Sequence, residues 1–502
     1  MKNNSLVTIS YYESYFYFLV WLCAIIYSVY QFYLANNYFS DYNDIYSDFD
    51  SGWSWIGKKR DTSDQEWLVW LTLVNRLIPC VFIHHFVSQI IKVNHNKNNT
   101  EIFQTCYWYI LSSIIFLYYY LGMLGMLCTI FQPTFLHIMT CICSKNTAWT
   151  IHVLYMFVIH ILKIPNGPFQ NWLGITDEKH YILTLVMCWI HLRSISHNMD
   201  SIDDQFSSSN SFIQKLAYCL YLPTLFLGPL ILYREFVESI NQPHQYWNCE
   251  KFLTFMLNLV RYMFWCFFTE LLLHFIYVNA IQYHLQVLQN LNSWELFGLG
   301  YCMGQFFFNK YVVIYGTCSN LCYLDDIKAP SQPKCIARIH LYSDMWKHFD
   351  RGLYKFLIRY IYVPIRKSNR CFGKLFASFL CFTFVFMWHG IQMNIFIWAL
   401  LNFIGIVIED IGTSIGKSKQ YYKMQNTYLS SRNTKRLHCI LASPLLAMSA
   451  ISNFYFLGGQ DIGNIFTQKI IHGNLFILLF LLYCCCQVSV DIKRWELRHI
   501  KR

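Results

Sequence analysis

Charge is what this chain has least of. Asp, Glu, Lys and Arg together make up 13 % of its 502 residues, about half the ~25 % usual for soluble domains. The length would fit three soluble domains of about 150 residues each. The composition excludes them: 55 % of the residues are hydrophobic and 19 % aromatic, more apolar surface than one water-soluble core can bury. Glycine and proline are few, 21 and 11, which excludes collagen-like and low-complexity disordered chains. The 20 cysteines contain no CxxC…CxxC pattern, so none reads as a zinc finger. Most lie inside apolar runs, as Cys23, Cys80, Cys128, Cys188 and Cys381 do, where a free thiol packs as a small hydrophobe. What remains is an all-α polytopic membrane protein, residues 1–502 forming one intramembrane domain.

Apolar stretches fill that frame. A helix needs about 20 apolar residues to cross about 30 Å of hydrocarbon. Candidate spans are 12–34, 67–92, 103–131, 147–163, 181–193, 213–232, 252–283, 296–318, 375–389, 391–408, 437–457 and 474–490. The expectation is ten to twelve transmembrane or re-entrant segments, the short ones shielded by protein. The first stretch exceeds a signal-peptide core and has no small-residue cleavage site after it, so it reads as a retained span. The C-terminal Leu-Arg-His-Ile-Lys-Arg is not a KDEL-type address. No internal repeat supports a transporter. Residues 198–211 have linker character. Cys484, Cys485 and Cys486 read as lipid-facing filler or as an acylation site.

The formal net charge is +11. In a soluble protein that suggests nucleic acid. Here the bases fall between apolar runs, as the positive-inside bias and anionic headgroups require, and no nucleic-acid partner is expected. Lys347, Arg351, Lys355, Arg359, Arg366, Lys367, Arg370 and Lys374 mark one cytosolic segment. Residues 417–436 carry six more bases, and Lys493, Arg494, Arg498, Lys501 and Arg502 mark the tail. The loop 36–66, with seven acids against three bases, belongs on the other face. On this topology 375–408 is a hairpin. Its first arm rises about 22 Å to His389, deep in the membrane toward the lumenal side.

Two features could carry chemistry. The block Met345–Tyr360 has helical period: Phe349, Leu353, Phe356 and Tyr360 form an apolar stripe, and Lys347, Arg351, Lys355 and Arg359 recur every four residues. It reads as an interfacial helix, either an anchor to headgroups or a cradle for a polyanion such as coenzyme A. Asp350 has Lys347 and Arg351 as potential partners. His389 sits in the run Phe382–Gly390, where an ionisable group is costly. Catalysis, packing and metal or haem ligation all fit a lone intramembrane histidine. Arg261, Glu270 and His274 read as a buried structural network.

An Asp followed some forty residues later by an apolar-embedded Trp388-His389-Gly390 resembles the membrane-bound O-acyltransferase superfamily. Trp346-Lys347-His348-Phe349-Asp350-Arg351-Gly352-Leu353, Pro333-Lys334-Cys335 and Asn453-Phe454-Tyr455-Phe456-Leu457-Gly458-Gly459 resemble its hedgehog acyltransferase branch. Weaker echoes are Gly57–Asp61 with Glu66-Trp67, and Gly228-Pro229-Leu230 with Glu235-Phe236. The resemblance covers nearly the whole chain in order. It implies a helical bundle around an acyl-CoA tunnel in the endoplasmic reticulum or Golgi membrane, with its catalytic segment at about 333–460. The implied reaction moves palmitate from palmitoyl-CoA to the N-terminal Cys amine of a hedgehog-type secreted protein. His389 then matches the catalytic His and Asp350 the essential Asp. Trp346 and Asn453 match positions beside the acyl-CoA path, with Lys347 and Arg351 toward its phosphates. Cys335 matches a haem-iron thiolate. Lys347 stands where close relatives have Arg, keeping the charge but losing bidentate geometry. Leu227 replaces a polar residue. The alternatives are a lipid O-acyltransferase of the same superfamily and a non-catalytic relative that binds and regulates; the presence of His389 weighs against the latter.

Overall fold

The computed structural model describes residues 9–40, 48–93, 99–203, 212–242, 245–368 and 373–499. Asp41, Asp44, Arg370, Lys501, Arg502 and most of the expected linker, 204–211, lie outside the described residues. The chain is a helical bundle. Among the described residues its only strands are the short antiparallel pair Phe49–Asp50 and Arg60–Asp61. Among the described residues, seven helices are long and apolar enough to cross a membrane: Tyr11–Asn36, Gln65–Val93, Ile102–Thr140, Cys249–Leu272, Met393–Gly416, Ser431–His472 and Leu475–His499. Gly373–His389 is a shorter apolar helix. With its broken and shielded segments, this is the expected polytopic all-α architecture.

Positive φ at Gly122 and Gly459 breaks two of the longest helices into two arms each. Only a residue without Cβ adopts that conformation freely. Helix Ser293–Leu324 forms the spine, with Tyr11–Ser40 along one side and Cys249–Leu272 along another. A Cβ on Gly298 would stand 2.1 Å from the Ser28 carbonyl oxygen, so glycine there permits the close approach. A capping box starts the spine: the Asn292 side chain accepts from the backbone N–H of Trp294 and Glu295, and the Glu295 carboxylate accepts from Asn292 N–H at 2.7 Å.

Four expectations change. The segment 213–232 is not one helix. After Phe212–Cys219 it becomes a short 3₁₀ turn, Leu222–Thr224, and then buried extended chain. Arg193, only 1 % exposed, makes that break tolerable. Its guanidinium donates to the Cys219 carbonyl at 2.9 Å, to the Thr224 carbonyl and to Thr224 Oγ1 at 2.9 Å, satisfying carbonyls that lost their helical partners. Next, 252–283 ends as a helix at Leu272 and continues through turns. The helix Asp177–Ile202 runs through 198–202, and Asn198 is buried in it rather than in a linker. Cys484, Cys485 and Cys486 are buried, which corrects the lipid-facing reading and removes them from the surface an acylation would need.

Ion pairs gather the basic segments at one end of the bundle. Arg436 pairs with Glu13, Lys435 with Asp491, Lys493 with Asp344, and Lys374 with Asp410. The opposite end is tied by Arg60 to Asp50 and Glu270. Glu270 also accepts from the Trp67 indole at 2.6 Å, and His274 accepts the Trp53 backbone N–H at 2.9 Å. That is the expected Glu270–His274 network. Arg261 stays outside it, exposed beside the Tyr262 ring.

Candidate active site

The helices Gly373–His389 and Met393–Gly416 form the expected hairpin, and His389 ends the first arm. The tip is held from outside by the His160 imidazole, whose Nε2–H donates to the Met387 carbonyl. Three aromatic rings bracket His389 edge-on: Trp388 at 4.8 Å, Phe456 at 5.1 Å and Trp398 at 5.4 Å. No hydrogen bond from another described residue reaches the imidazole, whose nitrogens are left for a ligand. The ring faces a cavity of about 350 Å³ lined also by Trp388, Phe456, Tyr311, Lys310, Glu66 and Asp64. The Trp388 indole N–H is buried without an acceptor among the described residues.

Asp350 reaches this cavity through hydroxyls. The predicted helix 345–360 breaks at Asp350, which caps the second piece. Tyr342–His348 is one helix and Arg351–Leu357 the next, followed by a wider π-type turn, Ile358–Tyr362. Asp350 Oδ1 accepts the Leu353 N–H at 2.8 Å, and Oδ2 accepts the Tyr315 hydroxyl at 2.9 Å. Its partners are therefore not Lys347 or Arg351. Loss of water around the carboxyl pushes its pKa above the ordinary Asp value, against the pull of those donors. One helical turn away, Tyr311 packs edge-on against Tyr315 at 5.1 Å and donates to Glu66 at 3.0 Å.

Trp346 joins the same aromatic set. Its indole lies 5.6 Å from Trp398 and donates to Asn402 at 2.9 Å. Asn402 in turn donates to Ser452 at 3.3 Å. Asn453 follows on that helix, half-buried, its amide without a protein partner among the described residues. The basic stripe separates into two kinds. Lys355 pairs with Glu235, and Arg359 grips Asp200 at 2.7 Å. Lys347 is exposed, and Arg351 keeps a buried Nε with no acceptor. Half of the predicted cradle is thus committed to internal ion pairs. Gly352, beside it, could not carry a Cβ, which would stand 2.2 Å from the Leu230 carbonyl oxygen.

Cys335 does not line the His389 cavity. It lies half-buried ahead of the turn Ile336–Arg338, whose Ala337 carbonyl accepts the Cys485 thiol at 3.8 Å. Haem is not supported there. The sequence missed Lys310 and Asp64 as site residues and offered Glu66 only as a weak echo of the family. Lys310, 4 % exposed, pairs with Asp64 at 2.9 Å and with Glu66 at 2.8 Å inside the cavity wall. Its signal was a cation in the apolar run Phe306–Tyr311, which is by default a functional position.

Residues 144–452 match the model of the membrane-bound O-acyltransferase family. The chain is 33 % identical over 362 residues to the protein-cysteine N-palmitoyltransferase Rasp of Drosophila melanogaster, covering 70 % of each. It is 26 % identical over 449 residues to the protein-cysteine N-palmitoyltransferase HHAT of Mus musculus, covering 87 % of this chain and 88 % of the relative. The mouse HHAT-like protein aligns at 20 % over 462 residues, 88 % of this chain and 87 % of the relative.

Proposed function

The chain belongs to the membrane-bound O-acyltransferase family and is a multi-pass membrane acyltransferase, and from that premise we propose that it is a protein-cysteine N-palmitoyltransferase. Its donor is palmitoyl-CoA, and its acceptor is the N-terminal Cys amine of a hedgehog-type secreted protein. The observation that carries this reading is an unbonded His389 imidazole facing a cavity, in a chain whose nearly full-length similarity runs to Rasp and HHAT.

The acyl-CoA enters from the basic end, the cytosolic face, with its phosphates against Lys347 and Arg351. The acyl chain follows Trp346, Trp398 and Asn453 toward His389. The acceptor enters from the lumenal end. An α-amino group has a pKa of about 7.7–8.0 and is largely protonated at neutral pH. The ammonium loses one proton to water as it enters, the neutral amine attacks the thioester carbonyl, and His389 takes the second nitrogen proton as the C–S bond breaks and the amide forms. His389 then returns the proton to the departing coenzyme A thiolate. The Trp388 N–H in the cavity wall, with Asn453 about one turn before Phe456 on its helix, supplies the donors for the developing oxyanion. Asp350 positions Tyr315 and the cytosolic mouth. The whole chain acts as one intramembrane domain, with the catalytic segment at about 333–460, in the endoplasmic reticulum or Golgi membrane.

The test is acceptor choice. Purified protein is given palmitoyl-CoA and a peptide with a hedgehog-type N-terminal Cys, the same peptide with a blocked amine, or a lipid alcohol. The reading predicts product on the free-amine peptide alone. Product on the lipid alcohol makes it a lipid O-acyltransferase. Bound palmitoyl-CoA without any product makes it a non-catalytic binder.

A further inference from the structure

Nineteen residues along the helix Gln65–Val93 from Glu66, about 28 Å by helical rise, a second polar cluster lies outside the His389 cavity. His84, His85 and Asp325 each turn a ligand atom inward, all within 4.8 Å of one another. They are 0 %, 7 % and 2 % exposed. They join the end of Gln65–Val93 to the residue that follows the spine helix Ser293–Leu324.

The hydrogen bonds around His84 suit a metal-binding tautomer. With the Ser112 hydroxyl donating to the Tyr109 carbonyl at 3.2 Å, its oxygen accepts from His84 Nδ1–H at 2.8 Å, and the Nε2 lone pair faces Asp325 Oδ2, 3.2 Å away. In that arrangement a cation fits between the two electron pairs. His85 repeats it: Nδ1 stands 3.3 Å from Asp325 Oδ1, and neither ring nitrogen makes a hydrogen bond. Each separation taken alone matches a tetrahedral edge with bonds of about 2.0–2.1 Å, the length of zinc–imidazole and zinc–carboxylate bonds, and the two histidines face opposite oxygens of the one carboxylate. Ser112 is the kind of outer partner that orients a metal-binding histidine. Ser88 and Tyr221 hold the carboxylate, each donating at 2.8 Å.

We propose that His84, His85 and Asp325 bind a zinc-class divalent cation that fastens the ends of these two helices, with a solvent ligand in the fourth position. Two imidazoles and a carboxylate are a donor set suited to Zn²⁺. Lys92 is the rival cation. Its ammonium lies 3.9 Å from Asp325 Oδ1 but is anchored on the Asp325 backbone carbonyl at 2.6 Å.

Purified protein is loaded with zinc, dialysed and analysed for metal. A parallel sample is titrated with Co²⁺ and followed by visible absorption. The expected result is about one zinc per chain, with cobalt taken up at the same ratio in a tetrahedral ligand field. The double variant His84→Ala/His85→Ala loses both, and Lys92→Met holds zinc against a higher chelator concentration than wild type. Should the double variant not fold, His85→Asn and the wild-type cobalt titration carry the test. The proposal is overturned if monodisperse wild type takes up neither metal, or if the histidine variants keep wild-type metal content. Either result leaves a buried hydrogen-bond network in which His84 Nε2–H donates to Asp325.

Discussion

The Tyr315 hydroxyl donates to Asp350 at 2.9 Å, and through it the basic end of the bundle meets the wall of the His389 cavity. Tyr315 packs on Tyr311, and Tyr311 bonds Glu66 in that wall. Asp350 also caps the helix Arg351–Leu357, so it serves both the local backbone and the link to the site. Tyr315→Phe removes one bond to a buried carboxyl while keeping the ring. We expect a loss of about 1.5–3 kcal/mol in thermal or denaturant unfolding and a fall in turnover smaller than that of Asp350→Ala. Asp350→Ala loses the cap as well, worth about 0.5–2 kcal/mol.

Trp346 touches the His389 set through Trp398 and is pinned by Asn402. Trp346→Phe keeps an aromatic ring there, whereas Trp346→Ala leaves a cavity worth about 3–5 kcal/mol. In an acyl-chain series, the alanine variant should lose its preference for palmitoyl over shorter and longer chains. An unchanged chain-length profile would take Trp346 off the acyl path.

The four bases of the 345–360 block should divide by role. Neutralising Lys347 and Arg351 should raise KM for palmitoyl-CoA several-fold, most at low salt, with little change in melting temperature. Lys355→Met and Arg359→Met break ion pairs with Glu235 and Asp200. They should lower the melting temperature instead, Arg359 more, because the Asp200 side chain is buried. KM measured beside a melt separates the two groups.

Lys310 neutralises two carboxylates inside the cavity wall. Lys310→Met leaves Asp64 and Glu66 unpaired and should cost about 3–5 kcal/mol. Adding Asp64→Asn and Glu66→Gln to that variant should recover part of the loss, as read by chemical denaturation.

Hydropathy made most of the spans legible, because a segment in lipid must be apolar and must satisfy its own backbone, and loop charge added the His389 hairpin. Hydropathy failed where protein replaces lipid. The buried strap 220–232 is as apolar as a span, and its broken backbone is satisfied by Arg193, Ser113 and Tyr218. The 345–360 periodicity was real for Leu353, Phe356 and Tyr360, which are all buried. Periodicity does not report a break, however, and Asp350, read as a partner for a neighbouring base, is the residue that makes it. The basic stripe gave no sign of Glu235 and Asp200, which arrive from other helices. Trp346 and His389 lie 43 positions apart in sequence, and Trp398 joins them only in the fold. Lys310 was visible as an intramembrane charge, but its carboxylates sit in a loop assigned to the far side by charge counting.

The most direct measurement is single-turnover acyl transfer by purified His389→Ala beside wild type. Palmitoyl-CoA and a free-amine N-terminal Cys peptide are present at saturation, with palmitoyl-CoA binding measured in parallel. The account predicts turnover reduced at least about 10²-fold, within the range for loss of a general base, with palmitoyl-CoA still bound. Wild-type turnover in the variant would contradict it.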